Sequence, residues 1–139
     1  MATRNKTAVA GGGVQLSKLL TDKKKQEKGV WREFAPGLNF LIGSSDQAGF
    51  RNQLTQALAN SRRVEMDGGL DAIAVKAMAR WLLLGWEGLV DDEGAAIKYT
   101  VAKAEEILRS STDVHRFVDT ESAASQHFRI AAEEKDRKN

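Results

Sequence analysis

Cysteine is absent from this chain of 139 residues, which excludes disulfides, thiolate metal sites and thiol nucleophiles. Proline occurs only once, at Pro36, so almost nothing in the composition interrupts long helices. Apolar runs such as Trp81–Leu84 are far shorter than the roughly 20 residues that a membrane-spanning helix needs. The N-terminus also lacks the apolar segment of a secretory signal. We therefore expect an intracellular protein that does not contact a membrane.

The residue types that usually carry chemistry are few and poorly placed. His115 and His127 are the only histidines, and on a single predicted helix they would stand about 18 Å apart along the axis, too far to share a metal ion. Asp91–Gly94 resembles the centre of a calcium loop, but Leu89 and Thr100 occupy the positions where that loop needs its first and last ligands. We expect no catalytic residue, no metal and no cofactor, and hence a protein that is not an enzyme.

Charge is distributed unevenly along the chain. Residues 1–28 carry seven basic and two acidic residues, a net charge of +5, whereas the remainder carries a net charge of −3. A basic arm can contact nucleic acid or an acidic protein surface, although no aromatic residues are interleaved with these lysines. We expect a flexible basic arm over 1–15, a single domain over 16–132 and a frayed tail over 133–139.

A change of hydrophobic period indicates a β-hairpin near 29–43. The segments 30–35 and 38–42 are rich in apolar and aromatic residues, and they flank Pro36-Gly37. Proline followed by glycine favours a type II turn, because proline fixes φ and glycine tolerates a positive φ. An isolated hairpin is only marginally stable in water. We therefore expect this hairpin to pack on helices or to pair with the edge of another chain.

Helical periodicity governs most of the remaining sequence. Ser44 and Gln47 form a capping-box pattern that opens a helix at about Asp46, and this helix should end near Arg62-Arg63. After an interruption at 67–69, a second apolar stripe runs over 70–84 and predicts a helix that ends around Gly85.

A connector over 86–99 contains the turn Asp91–Gly94, and two further helices follow it. Thr100 and Ser111 are suited to cap them, and the last helix should extend to Ala132. The predicted fold class is mainly α (α+β), a small domain of four to five helices with an N-terminal β-hairpin.

Two sets of apolar residues are candidates for contact with a partner. Trp86 stands between Gly85 and Gly88 at the predicted end of a helix, where a half-exposed tryptophan commonly contributes to protein interfaces. A short stripe near the start of the chain consists of three leucines at helical spacing, Leu16, Leu19 and Leu20.

The order of motifs between 82 and 128 is similar to that of the tail assembly chaperones of tailed phages. Leu-Leu-Leu-Gly-Trp-Glu-Gly-Leu-Val-Asp-Asp-Glu-Gly stands at 82–94, Ile-Lys-Tyr-Thr at 97–100, and two helices follow. The Gly-Val-Trp segment at 29–31 and its hairpin also resemble that family, so the similarity covers about 16–130. The proline that this family usually has before the tyrosine is missing here, where Ala95–Lys98 stands.

This resemblance implies a function in phage tail assembly. Such chaperones bind the tape measure protein, keep it soluble and recruit tail tube subunits. They act in the host cytoplasm and are generally absent from the mature virion. Many are also made as a frameshifted longer form. The resemblance, with the apolar pattern, suggests Trp86, Leu89 and Tyr99 as the partner surface. Leu16, Leu19 and Leu20 would either contribute to it or contact a neighbouring copy in a homo-oligomer.

Two other functions compete with that interpretation. A structural minor tail or connector protein would have the same size and the same need for partners, and it would be found in purified particles. A small nucleic-acid-binding regulator would use the basic arm and lose DNA as salt rises. The chain lacks a helix with clustered arginine and lysine for reading bases, so a nucleic-acid partner is disfavoured.

Overall fold

The structure is a computed structural model that describes residues 12–60 and 69–132. Most of the predicted basic arm, the predicted helix end near Arg62-Arg63 and the predicted C-terminal tail lie outside the described residues. The described ranges contain five α-helices and three β-strands: α1 (Lys23–Lys28), β1 (Val30–Ala35), β2 (Leu38–Ile42), α2 (Ala48–Asn60), α3 (Gly69–Trp81), β3 (Leu83–Glu87), α4 (Val101–Ser110) and α5 (Thr112–Ala123). The predicted fold class, mainly helical with an N-terminal hairpin, is confirmed.

The three strands form one antiparallel sheet in the order β1-β2-β3. The predicted hairpin is confirmed, with Val30 opposite Ile42 and Arg32 opposite Phe40. Gly37 has φ +86° in the connecting turn, the conformation that a glycine after Pro36 was expected to supply. The partner that the hairpin requires is therefore β3 of the same chain.

The third strand corrects the prediction of a helix that continues to Gly85. α3 ends at Trp81, and the chain turns at Leu82 into β3, where Leu41 of β2 stands opposite Gly85 and Phe40 stands opposite Trp86. The apolar residues at 82–84 continue the helical stripe, so periodicity alone could not separate the two elements. Pairing with β2 satisfies the backbone of this segment and buries Leu83, which a solvent-facing helix end would not do.

One hydrophobic core joins the sheet to the helices. It takes side chains from all three strands, from α2 to α5 and from a 3-10 turn at Ser125–Phe128. Its largest fully buried apolar members are Phe40, Phe128, Ile42, Leu82, Leu83, Leu108 and Val118. The predicted domain thus has a single core in its described part.

Gln47, just before α2, connects α1, α3 and the loop that follows β2. Its side chain is buried, and Nε2 lies 3.0–3.2 Å from the carbonyl oxygens of Gln26, Ser44 and Trp81. The capping-box residues thus meet, although α2 begins at Ala48 and not at about Asp46. Gln47 bonds to three different segments because its amide is the donor that reaches their carbonyl groups in the interior.

The two C-terminal helices begin as predicted, but the last one is shorter. Thr100 accepts a hydrogen bond from the amide of Lys103, and Ser111 accepts one from the amide of Val114. α5 ends at Ala123 instead of reaching 132, because the following turn folds back and buries Phe128. His115 lies in α5 and His127 in that turn, so the two histidines do not share a helix.

A clasp between residues 20–25 and 128–132 joins the two ends of the described fold. Thr21 and Arg129 form an antiparallel bridge, which is flanked by backbone hydrogen bonds from Ile130 to Leu20 and from Asp22 to Phe128. Lys25 Nζ donates to the carbonyl oxygens of residues 129, 130 and 132, at 2.9, 3.3 and 2.7 Å. The segment 128–132 is therefore fixed against α1.

Candidate partner-binding surfaces

Trp86 and Tyr99 form an aromatic junction between the sheet and the connector over 88–100. Their rings meet edge to face with centroids 4.9 Å apart, and Trp86 also contacts Phe40 in the core, at 6.4 Å. The indole Nε1 of Trp86 donates to the carbonyl oxygen of Ile97 at 2.7 Å. The hydroxyl of Tyr99 donates to the carbonyl oxygen of Leu83, also at 2.7 Å. Each aromatic residue thus ties the connector to β3.

The location of Trp86 differs from the sequence prediction. It stands within β3 and not at the end of a helix, so its ring is half-buried between core and connector. Burial raises the pKa of the Tyr99 phenol above its ordinary value of 10.0, because the ionised form is poorly solvated there. Both side chains are therefore partly buried and partly exposed, and each stabilises the fold through its hydrogen bond.

The connector contains a hydrogen-bonded acidic turn, which we define as residues 90–94. Val90 bridges Ala96, and the carboxylate of Asp91 accepts hydrogen bonds from the amides of Glu93 and Ala95, both at 2.9 Å. Gly94 has φ +89°, so the predicted turn is confirmed. Leu89, at its base, is half-buried and is tied to the returning strand through its carbonyl, whereas the Val90 side chain is 51% exposed.

Apolar side chains are exposed on both sides of the aromatic junction. Val90 is the first residue of the acidic turn, and Val101, which is 50% exposed, opens α4 directly after Tyr99 and Thr100. We define the connector surface as Trp86, Leu89, Tyr99 and Val101. The structure thus places Leu89 and Tyr99 on the connector and Trp86 in β3 against Tyr99, and it adds Val101 at the start of α4.

The second predicted set lies beside the clasp. Leu16, Leu19 and Leu20 are 68%, 52% and 45% exposed, and Leu16 opens a single 3-10 turn over Leu16–Lys18. Ile130, 55% exposed, joins them because its amide donates to the carbonyl oxygen of Leu20 at 2.8 Å. We call these four residues the leucine patch. The sequence gives no sign that Ile130 belongs to it, because 110 positions separate the two partners of this contact.

A polar cluster that the sequence did not reveal lies between the sheet and the C-terminal segment. Arg32 Nε and His127 Nε2 lie 2.9 and 3.0 Å from the same carboxylate oxygen of Glu121, and all three side chains are largely buried. Burial, together with the positive charge of Arg32, lowers the pKa of His127 below its ordinary value of 6.5, and Glu121 opposes this shift. In the neutral form His127 therefore donates Nε2–H to Glu121.

Metal and membrane sites are not evident in the described part of the chain. Over residues 12–60 and 69–132, no three histidine or carboxylate side chains are grouped so that they could hold a metal ion. None of the helices described in these ranges is long and apolar enough to cross a lipid bilayer.

A comparison with protein families places the chain among phage proteins. Residues 45–139 match the family described as YdaY prophage protein. Neither the curated proteins nor the solved structures with which the chain was compared gave a match. Because the family match covers more than half of the chain and includes α2 to α5 and β3, this protein belongs to the YdaY prophage protein family.

Proposed function

We propose that this chain is a phage tail assembly chaperone that binds the tape measure protein, keeps it soluble and helps to recruit tail tube subunits. Two findings support the proposal: membership of a prophage protein family, and the resemblance of residues 82–128 to the chaperones of tailed phages. The connector surface is the observation that carries it. The motif segment that resembles these chaperones is also held by hydrogen bonds to β3, and it leaves apolar side chains in solvent.

The chemistry of the connector surface suits a helical partner. A tape measure protein is a long helical rod with an apolar stripe, and such a stripe packs against apolar side chains that a folded domain presents in advance. Trp86 and Tyr99 are held by their own hydrogen bonds, so little conformational entropy is lost when the partner binds. Four side chains give only a small contact area, hence a weak contact. Many weak contacts along one rod hold it and still allow replacement by tube subunits.

This function needs no bond to be made or broken. The protein acts as a temporary cover in the host cytoplasm, leaves before the virion matures and uses neither cofactor nor metal. A frameshifted longer form would present the same connector surface. The partner contacts are therefore the property to test.

Co-expression with the tape measure protein from the same phage tests the proposal. With the wild-type chain we expect the tape measure protein in the soluble fraction. The variant Leu89→Ser/Val101→Ser should lose most of this effect, whereas Val14→Ser should not. Val14 is 70% exposed and lies outside the connector surface, so it controls for the general effect of removing an exposed apolar group. If the tape measure protein precipitates equally with and without the wild-type chain, the proposal is wrong.

The composition of purified particles is a second measurement. Mass spectrometry of mature virions should find the tail tube protein but not this chain. Stoichiometric amounts in mature particles would instead identify a structural minor tail or connector protein.

A further inference from the structure

The leucine patch is flanked along the chain by lysines that form no salt bridge with any described residue. Lys18, Lys23 and Lys24 are exposed, and in the described part of the chain none of them forms a salt bridge. Lys25 stands in the same segment, but its ammonium group is used by the clasp. The patch is therefore an apolar centre with a basic rim. Isolated exposed leucines are common, but four neighbouring apolar residues are typical of a binding site.

The acidic turn of the same chain has the opposite character. Val90 is half-exposed at its base, and Asp92 and Glu93 are exposed, with no salt bridge in the described residues. Asp91 holds the backbone of the turn through two amides, so Asp92 and Glu93 stand on a hydrogen-bonded main chain. An apolar side chain beside two carboxylates matches an apolar patch beside three lysines.

We propose that the leucine patch of one copy binds the acidic turn of a second copy. Val90 then covers the leucines, and Asp92 and Glu93 lie against Lys18, Lys23 and Lys24. Opposite charges at the rim orient the two copies and raise the association rate, whereas apolar contact in the centre excludes water. The turn has only five residues, so the contact is small and the dissociation constant should be high. This proposal does not depend on the identity of the tape measure protein.

Two charge-reversal variants of the full chain test the contact. Lys23→Glu/Lys24→Glu reverses two of the three rim lysines and leaves the turn intact. Asp92→Lys/Glu93→Lys reverses the turn and leaves the patch intact. All four residues are exposed, and Asp91, which holds the turn, is unchanged. Acidic residues in the first turn of α1 also interact favourably with the helix dipole, so Lys23→Glu/Lys24→Glu should fold.

Sedimentation velocity at increasing protein concentration is the measurement. The wild-type chain should gain mass with concentration, and its association constant should fall at least tenfold between about 50 mM and about 500 mM salt, as expected for paired surface charges. Each double variant should remain monomeric. An equimolar mixture of the two should associate again, because the intact turn of one variant fits the intact patch of the other, and the two reversed surfaces are also of opposite charge.

Two single variants distinguish this contact from nonspecific association. Leu16→Ser should weaken association without changing the charge, and Arg116→Glu, on an exposed position of α5, should leave it unchanged. A wild-type chain that stays monomeric over the whole range overturns the proposal, even if it binds an acidic peptide or vesicles of anionic lipid. Variants that associate as the wild type does, or a mixture that stays monomeric, overturn it as well.

Discussion

Three side chains, Arg32, Glu121 and His127, connect the sheet to the C-terminal segment through a single carboxylate. Arg32 projects from β1 toward α5, and its guanidinium bonds to the Glu121 oxygen that also accepts from His127. A histidine in this position is stable when neutral, because a proton on its ring would add a second buried positive charge beside Arg32. The cluster therefore makes stability depend on pH.

The pKa of His127 determines the direction of that dependence. His127 takes up its proton at a lower pH in the folded chain than in the unfolded chain, where its pKa has the ordinary value of about 6.5. The contribution of His127 to the free energy of unfolding is therefore complete above pH 6.5 and declines as pH falls below it, toward the lower pKa of the folded state. We expect the wild-type midpoint in urea to decrease over this range.

A variant of His127 should remove this decrease. His127→Gln keeps an N–H donor for Glu121 but cannot titrate, so its unfolding midpoint should change less than that of the wild type just below pH 6.5. His115→Gln is the matched control and should retain the wild-type dependence. Parallel curves for His127→Gln and the wild type would show that His127 does not cause the effect.

Residues whose effect is local could be predicted from the sequence. Thr100 and Ser111 cap their own helices, and Gly37 completes a turn with its neighbour, so residue type and short spacing are sufficient. The cluster at Glu121 and the lysine of the clasp could not be predicted, because the contacts of Arg32 with Glu121 and of Lys25 with Arg129 join residues 89 and 104 positions apart. Ile130 was missed for the same reason.

At the scale of elements, the end of β3 is fitted closely against the β1–β2 turn. Gly88, directly after β3, has φ +93°, and a Cβ atom at this position would overlap the carbonyl oxygen of Gly37. Gly94 in the acidic turn has a similar φ of +89°, but a Cβ atom there would meet open space. A substitution at Gly94 therefore introduces backbone strain alone, whereas a substitution at Gly88 introduces both backbone strain and steric overlap.

Alanine substitutions at these two glycines should differ in cost. Gly94→Ala should lower the free energy of unfolding by roughly 1–2 kcal/mol, the cost of a left-handed backbone for a residue with a Cβ atom. Gly88→Ala should add an overpacking cost of roughly 1–3 kcal/mol, because β3 must move away from the hairpin. Equilibrium unfolding in urea measures both values. Equal losses would mean that the contact between Gly88 and the turn is not maintained in solution.

The elements that were predicted wrongly share one physical cause. The apolar residues of β3 follow those of α3 without a break in period, and the choice between helix and strand is made by the free edge of β2. Likewise the last helix ends early because Phe128 reaches the core only if the chain turns back. In β3 and at the end of α5, tertiary contacts therefore decide the structure against the helical periodicity of the local sequence. The hairpin was predictable because its turn residues and its alternation agree.

The candidate surfaces were predictable to a similar degree. An unburied run of leucines near the N-terminus is visible in the sequence, and Leu16, Leu19 and Leu20 are indeed exposed. The half-exposure of Trp86 was expected for a helix end but arises from its place in β3. Which partner each surface binds is set by a second molecule, so it stays a prediction.

For the whole molecule, a continuous core indicates cooperative unfolding. The same cluster contains side chains from all three strands, from α2 to α5 and from the C-terminal 3-10 turn. A domain of this size with one core normally unfolds in a single transition. The tryptophans lie in β1, α3 and β3, so their fluorescence reports on both sheet and helix.

Two spectroscopic signals should therefore give the same midpoint in urea. Tryptophan fluorescence and far-ultraviolet circular dichroism should coincide for the wild type. Phe128→Ala should shift both midpoints together by a loss of about 3–5 kcal/mol, the usual cost of removing a buried phenylalanine side chain. Separate transitions, or a shift in only one signal, would indicate that the C-terminal segment unfolds independently.

The geometry of the clasp has a mechanical consequence. In the antiparallel bridge between Thr21 and Arg129, the chain before residue 20 and the chain after residue 130 leave from the same side. A force that pulls these two strands apart is borne first by the hydrogen bond between Ile130 and Leu20, and then by the next bond in sequence. The hydrogen bonds of the clasp therefore break one after another when the fold is stretched from its ends. If the two strands were instead pulled along their length past each other, the same bonds would bear the force together.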